Sequence, residues 1–142
     1  MLAKSKTFKE LTLTVVIPTY NEKDNVRPLI ALLDETLQTI VWEVVFVDDD
    51  SPDGTADEVR QIARKRENVR VIHRVGRRGL SGACIEGILS SSAPFAAVMD
   101  GDLQHDERIL VSMLAALKED ADVDNDGDVD KSDKYLLKRR KA

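Results

Sequence analysis

Cysteine is almost missing from this chain: Cys84 is the only one in 142 residues, so an intrachain disulfide framework is excluded and oxidising export is not implied. Its thiol is expected as a small buried group on a helix. There is no excess of positive charge either. A net charge of -5 and a pI near 5.1 argue against a nucleic-acid binder, which would show a basic face. Any bound phosphate must then be held by a metal ion or by backbone amides. No apolar run approaches the roughly 20 residues that span a bilayer, and no signal-type apolar stretch follows the lysines of residues 1–10. A chain of this kind is expected in the cytoplasm, or at the cytoplasmic face of a membrane.

What is present is a core-forming fraction of 42% hydrophobic residues beside 33% charged ones, in a length that suits about one ordinary domain. Valine- and isoleucine-rich runs recur at Leu11 to Ile17, Trp42 to Val47, Val69 to Ile72 and Phe95 to Met99. Between them, Asn25 to Ile40, Thr55 to Arg66 and Leu80 to Ser90 place apolar residues at helical spacing, as Leu29, Leu32, Leu33, Leu37 and Ile40 do. A fourth helix is expected from about Glu107 to Lys118, through Ile109, Leu110, Met113, Leu114 and Leu117. Strands alternating with helices in this way predict parallel βαβ units with right-handed crossovers. The expected fold is an α/β sheet with helices on both faces.

Ligands of such sheets bind beyond the carboxyl ends of the strands, where strand order reverses. Three polar clusters stand there: Pro18-Thr19-Tyr20-Asn21-Glu22, then Asp48 through Thr55, then Asp100-Gly101-Asp102-Leu103-Gln104-His105. Asp53 is of the type that opens a turn and Thr55 of the type that caps the following helix. Tyr20 is open to a purely structural role, and Glu22 to that of an ordinary acid near a helix start. Three aspartates in a row, Asp48 to Asp50, repel one another unless a donor or cation is near. Asp100 and Asp102 follow an apolar run directly, and paired carboxylates suit the hard ions Mg²⁺ and Mn²⁺, which keep part of their shell for substrate phosphates.

Val16 to Glu22, Val47 to Thr55, Gly79-Leu80-Ser81 and Met99 to His105 together resemble the family 2 glycosyltransferases, and within them the polyprenyl-phosphate, or dolichol-phosphate, mannosyltransferases. The resemblance covers residues 10–121. It implies a GT-A fold with a nucleotide-sugar site and an Asp-x-Asp metal motif. Pro18, Tyr20 and Glu22 would contact the nucleoside, and Val47 and Asp49 would lie beside base and ribose. Asp100, Gly101 and Asp102 would meet the nucleotide-sugar, with Asp100, Asp102 and Gln104 holding Mg²⁺ or Mn²⁺ and Asp102 taking part in catalysis. Arg77 or Arg78 is open to a phosphate contact or to a solvated surface role.

The implied partners are a nucleotide-sugar, GDP-mannose or a UDP-sugar, and a polyprenyl phosphate. Such a lipid phosphate is largely anionic at neutral pH, because its second pKa is near 6. It needs no general base, and none stands out, since His73 falls within a strand and His105 beside the metal motif as a supporting or structural group.

After Ala121 the resemblance stops, and the acceptor-side segment is not matched. Residues 122–142 instead begin with Asp122, Asp124, Asp126, Asp128, Asp130 and Asp133, spaced as in a twelve-residue EF-hand loop with Gly127 at its sharp turn. This resembles one dockerin repeat, a calcium loop and helix with Asp122, Asp124, Asp126, Asp128 and Asp133 as Ca²⁺ ligands; the alternative is a solvated acidic tail. The expected organisation is a nucleotide-sugar-binding domain over 1–121 and a calcium unit over 122–142. Two functions stay open: metal-dependent sugar transfer to polyprenyl phosphate, or a truncated or chimeric non-catalytic module that binds nucleotide and calcium.

Overall fold

The computed structural model describes residues 10–102, residues 112, 115 and 116, and residues 136–138. The elements are β1 (Leu13–Thr19), α1 (Lys23–Thr36), β2 (Trp42–Asp48), α2 (Thr55–Ala63), β3 (Val69–His73), α3 (Leu80–Leu89), β4 (Phe95–Val98) and β5 (Leu136–Lys138). Strand order is β3-β2-β1-β4-β5. β1 runs parallel to both β2 and β4, and β2 parallel to β3. The chain therefore steps outward from β1 to β3 and returns to the other side of β1, so order reverses between β1 and β4.

Alternation along the strands divides the core between two faces. Leu13, Val15 and Ile17 of β1 pack with Val44 and Phe46 of β2 beneath α1 and α2, through Leu29, Leu33 and Val59. Val16, Val45 and Val47 point the other way, against Ala83 of α3. Because both faces are covered, the central strands read as unbroken apolar runs, as buried parallel strands do.

β1 continues two residues past its expected end, through Pro18 and Thr19. Proline is normally excluded from a central strand for want of an N–H. Here the last β1–β4 pair is Val16 with Val98, so Pro18 stands beyond the ladder on that side while its other neighbours hold β2. α1 ends at Thr36, short of Ile40; a further turn, with the Ile40 amide donating to the Leu37 carbonyl at 3.1 Å, carries Ile40 against the core.

Residues 112, 115 and 116 have helical backbone within the expected fourth helix, most of which lies outside the described residues. The calcium loop, Asp122 to Asp133, lies outside them too. Leu136–Lys138 correct one expectation: they form a strand antiparallel to β4, pairing Leu137 with Ala96, and not the helix of a loop-helix unit. The uncovered edge of β4 offers main-chain partners there. Among the described residues no helix is long and apolar enough to cross a membrane.

Candidate functional site

The aspartates of 48–50 avoid mutual repulsion because each has its own donors. Asp48, fully buried, accepts from the Thr19 hydroxyl at 2.9 Å, the Ser51 amide at 2.9 Å and the Ser51 hydroxyl at 2.6 Å. The Ser51 hydroxyl in turn accepts from the Asn21 amide at 2.8 Å, so the loops after β1 and β2 are one hydrogen-bonded unit. Asp49 accepts from the Gly79 amide at 3.0 Å and faces Arg74 Nε at 3.1 Å. Asp50 lies 2.8 Å from His73 Nε2. Arg60 lies 3.0 Å from the other ring nitrogen, Nδ1, and a guanidinium only donates. Nδ1 is thus the acceptor and Nε2–H the donor to Asp50, which occupies both nitrogens of His73 in holding the loop.

Asp53 and Thr55 both cap α1, and Asp53 serves α2 as well. α2 starts after Gly54 in a left-handed conformation, and its first amide, that of Thr55, donates to the Asp53 carboxylate at 3.0 Å. The Asp53 carboxylate accepts from the Lys23 amide at 3.2 Å, and the Thr55 hydroxyl accepts from the Glu22 amide at 3.1 Å, satisfying orphan donors at the start of α1. Burial pushes the Asp53 pKa upward, yet hydrogen bonds from the Thr55 hydroxyl and from the Lys23 and Thr55 amides outweigh it and leave the group below 3.8.

Beyond β4, Asp100 and Asp102 are exposed while Gly101 between them is buried. A Cβ on Gly101 would sit 3.3 Å from Ile17 Cγ2 and 3.3 Å from Thr19 Cγ2, so the turn lies flat against the end of β1. Asn25 fastens it, its side-chain amide donating to Glu22 Oε2 at 2.7 Å and to the Gly101 carbonyl at 3.1 Å. Among the described residues no three His, Cys, Asp or Glu side chains cluster as a complete metal site. Two hard carboxylates at a sheet edge fit a Mg²⁺- or Mn²⁺-type ion whose remaining ligands come from phosphate and water. Cys84 lies on α3 half-buried, and burial together with the negative charge of Asp100 pushes its thiol above 9.0.

On the opposite rim, Arg78 stacks 4.7 Å from the centroid of the exposed Tyr20 ring and donates to its hydroxyl at 3.1 Å. Arg77 pairs with Glu86 of α3 at 3.1 Å. The ends of β1, β2 and β4 and the loop before α3 thus surround one polar edge. The model for glycosyl transferase family 2 matches residues 14–142.

The chain belongs to glycosyl transferase family 2. The match runs past Ala121, so residues 122–142 fall inside the family range. Similar proteins include the dolichol-phosphate mannosyltransferase of Pyrococcus furiosus, 39% identical over 113 residues, which are 80% of this chain and 32% of that protein. The dolichol-phosphate mannosyltransferase of Saccharomyces cerevisiae is 35% identical, over 76% of this chain and 42% of its own length. Among solved structures, the mannosyltransferase PcManGT from Pyrobaculum calidifontis, in complex with GDP-Man and Mn²⁺, superposes with a TM-score of 0.61 at 26% identity, over 82% of this chain and 34% of that one. The chain thus spans about a third to two fifths of the length of these relatives.

Of the residues singled out through the family, Pro18, Tyr20, Glu22, Asp49, Asp100, Gly101 and Asp102 come together at the carboxyl edge. Val47 does not offer a side chain there: it is fully buried against α3. Gln104 and His105 lie outside the described residues. Arg74 escaped the sequence reading. It follows β3 directly, at the one strand end where no acidic cluster drew notice, and it is 3% exposed.

Proposed function

We propose that this chain binds the nucleotide-sugar of a glycosyl transfer, GDP-mannose, and passes mannose to a polyprenyl (dolichyl) phosphate at the cytoplasmic face of a membrane. The similarity to dolichol-phosphate mannosyltransferases supports the acceptor, and the GDP-Man held by the structural neighbour supports the donor. The observation that carries the reading is the seating of the Asp100-Gly101-Asp102 turn on β1 through Gly101 and Asn25.

Asp49 and the Gly79 amide, already bonded to each other, stand where a nucleoside would approach between β2 and α3. Tyr20 with Arg78 presents a flat, cationic wall to that approach, and Glu22 braces the turn that carries the two acids. Asp100 and Asp102 would hold Mn²⁺ or Mg²⁺, with Gln104 as a further ligand. The ion supplies charge stabilisation to the departing diphosphate. An acceptor phosphate oxygen forms the new bond to the sugar C1 as the bond from C1 to the diphosphate oxygen breaks. That oxygen is already anionic, so no residue has to remove a proton.

Titration of GDP and UDP with and without Mn²⁺ is the test: Mn²⁺-dependent binding that prefers GDP is expected, and no metal-dependent nucleotide binding rejects the reading. Mannosyl polyprenyl phosphate formed from GDP-mannose distinguishes transfer from nucleotide binding alone.

A calcium role for Asp122, Asp124, Asp126, Asp128 and Asp133 is supported by their spacing. Calorimetry with Ca²⁺ on the wild type and Asp122→Ala tests it; heat that is absent, or equal in both, rejects it.

A further inference from the structure

We propose that Arg74 is the positioning residue of the nucleoside end of this site, acting through Asp49, and that Gly82 is the seat that lets it do so. The inference rests on the nucleotide reading above and adds to it two residues that the family motifs leave unassigned.

Arg74 is the first residue after β3, and its amide donates to the Asp48 carbonyl at 2.8 Å, so its backbone is locked to the end of β2. Its side chain is buried, a costly place for a guanidinium unless carboxylates face it. Two do. Nε lies 3.1 Å from Asp49 Oδ1, and Nη1 lies 3.5 Å from Glu86 Oε2 on α3. The charges face each other, yet Asp49 Oδ1, Arg74 Nε and Arg74 Nη1 are all buried without a hydrogen bond of good geometry. A pair placed so is held for direction more than for stability, since an apolar side chain of similar size fills space at lower cost.

The direction it sets is that of Asp49. With Oδ1 facing Arg74, the carboxylate turns Oδ2 toward the Gly79 amide at 3.0 Å. Gly79 has a positive φ of 131° and follows Arg78, which reaches over Tyr20. Arg74, Asp49, Gly79, Arg78 and Tyr20 therefore form one connected rim, and Arg74 is its buried end.

Gly82 explains how the guanidinium fits. A Cβ there would come within 2.9 Å of Arg74 Nη1 and 3.2 Å of Nη2, so the planar group lies against the bare backbone of α3. Glycine inside a helix is otherwise unfavourable relative to alanine. Gly82→Ala should thus favour the helix while pushing Arg74 away from Asp49, separating stability from binding.

The test is calorimetry with Mn²⁺ present, using GDP for the whole site and pyrophosphate for its diphosphate end. Gly82→Ala is expected to melt no earlier than wild type, to lose about tenfold in GDP affinity, and to hold pyrophosphate within about twofold. In an Asp49→Asn background, adding Gly82→Ala should cost less than about twofold further, because the route through Asp49 is already cut. Should Gly82→Ala melt early, Arg74→Lys, which keeps the charge and loses the fork, carries the same comparison. Unchanged GDP affinity, an equal loss for pyrophosphate, or the same loss with and without Asp49→Asn overturns the inference. Wild type that binds no GDP removes the donor-site reading and the nucleoside role of Arg74 with it; wild-type binding that the variants leave untouched removes the role alone.

Discussion

The side-chain amide of Asn25 donates to the carbonyl of Gly101 at 3.1 Å and ties the first turn of α1 to the turn that displays Asp100 and Asp102. The same nitrogen reaches Glu22 at 2.7 Å, so one residue aligns the β1 and β4 ends. Asn25→Ala leaves Glu22 and the Gly101 carbonyl without that donor. A hydrogen bond of this kind contributes about 1 kcal/mol net, so Mn²⁺-dependent GDP affinity should fall roughly fivefold by calorimetry.

Gly87 on α3 is buried against the sheet, and an added Cβ would overlap Val16 Cγ1 and come within 3.1 Å of Val47 Cγ2. Both valines belong to the packed cluster under α3 and have no room to yield. Overpacking of this sort costs about 1–3 kcal/mol. Gly87→Ala should lower the urea midpoint accordingly, with an unchanged slope against denaturant.

Asp53 gives a pH dependence with a definite sign. Its carboxyl is depressed below 3.8 in the folded chain, so its contribution is complete above that value and disappears as pH falls through the folded pKa. Urea unfolding of wild type and Asp53→Ala at a series of pH values should show a constant gap above about pH 5 that narrows as the solution becomes more acidic.

The Cys84 thiol is held up by burial and by the charge of Asp100. Thiolate is the species that alkylates, so iodoacetamide should react slowly at pH 8. Asp100→Asn removes the charge and should accelerate the reaction; an unchanged rate would remove Asp100 as a cause.

The alternation of strands and helices was legible because each buried parallel strand shows as a valine-rich run, and each helix as apolar residues at its own spacing. Strand ends were less so. Pro18 looks like a terminator in sequence, and only the offset of β4 along β1 makes room for it in a central strand. Thr55 looks like a cap for α2, whereas the proximity of the β1 and β2 loops turns it toward Glu22. Leu136–Lys138 follow an acidic loop pattern that calls for a helix, but the open edge of β4 takes them as a strand.

By itself the sequence determined the fold class, the polar edge and the acidic pair of Asp100 and Asp102, since these depend on periodicity and on residue chemistry within a few positions. Tertiary structure alone decided what each acid is for. Asp48 became a buried tie, Asp50 a partner of His73, and Asp49 the acid facing both Gly79 and Arg74. Three adjacent aspartates carry the same chemistry in a sequence. They differ in the donors that reach them, and apart from Ser51, three residues on, those donors come from the ends of β1, β3 and α3, distant along the chain.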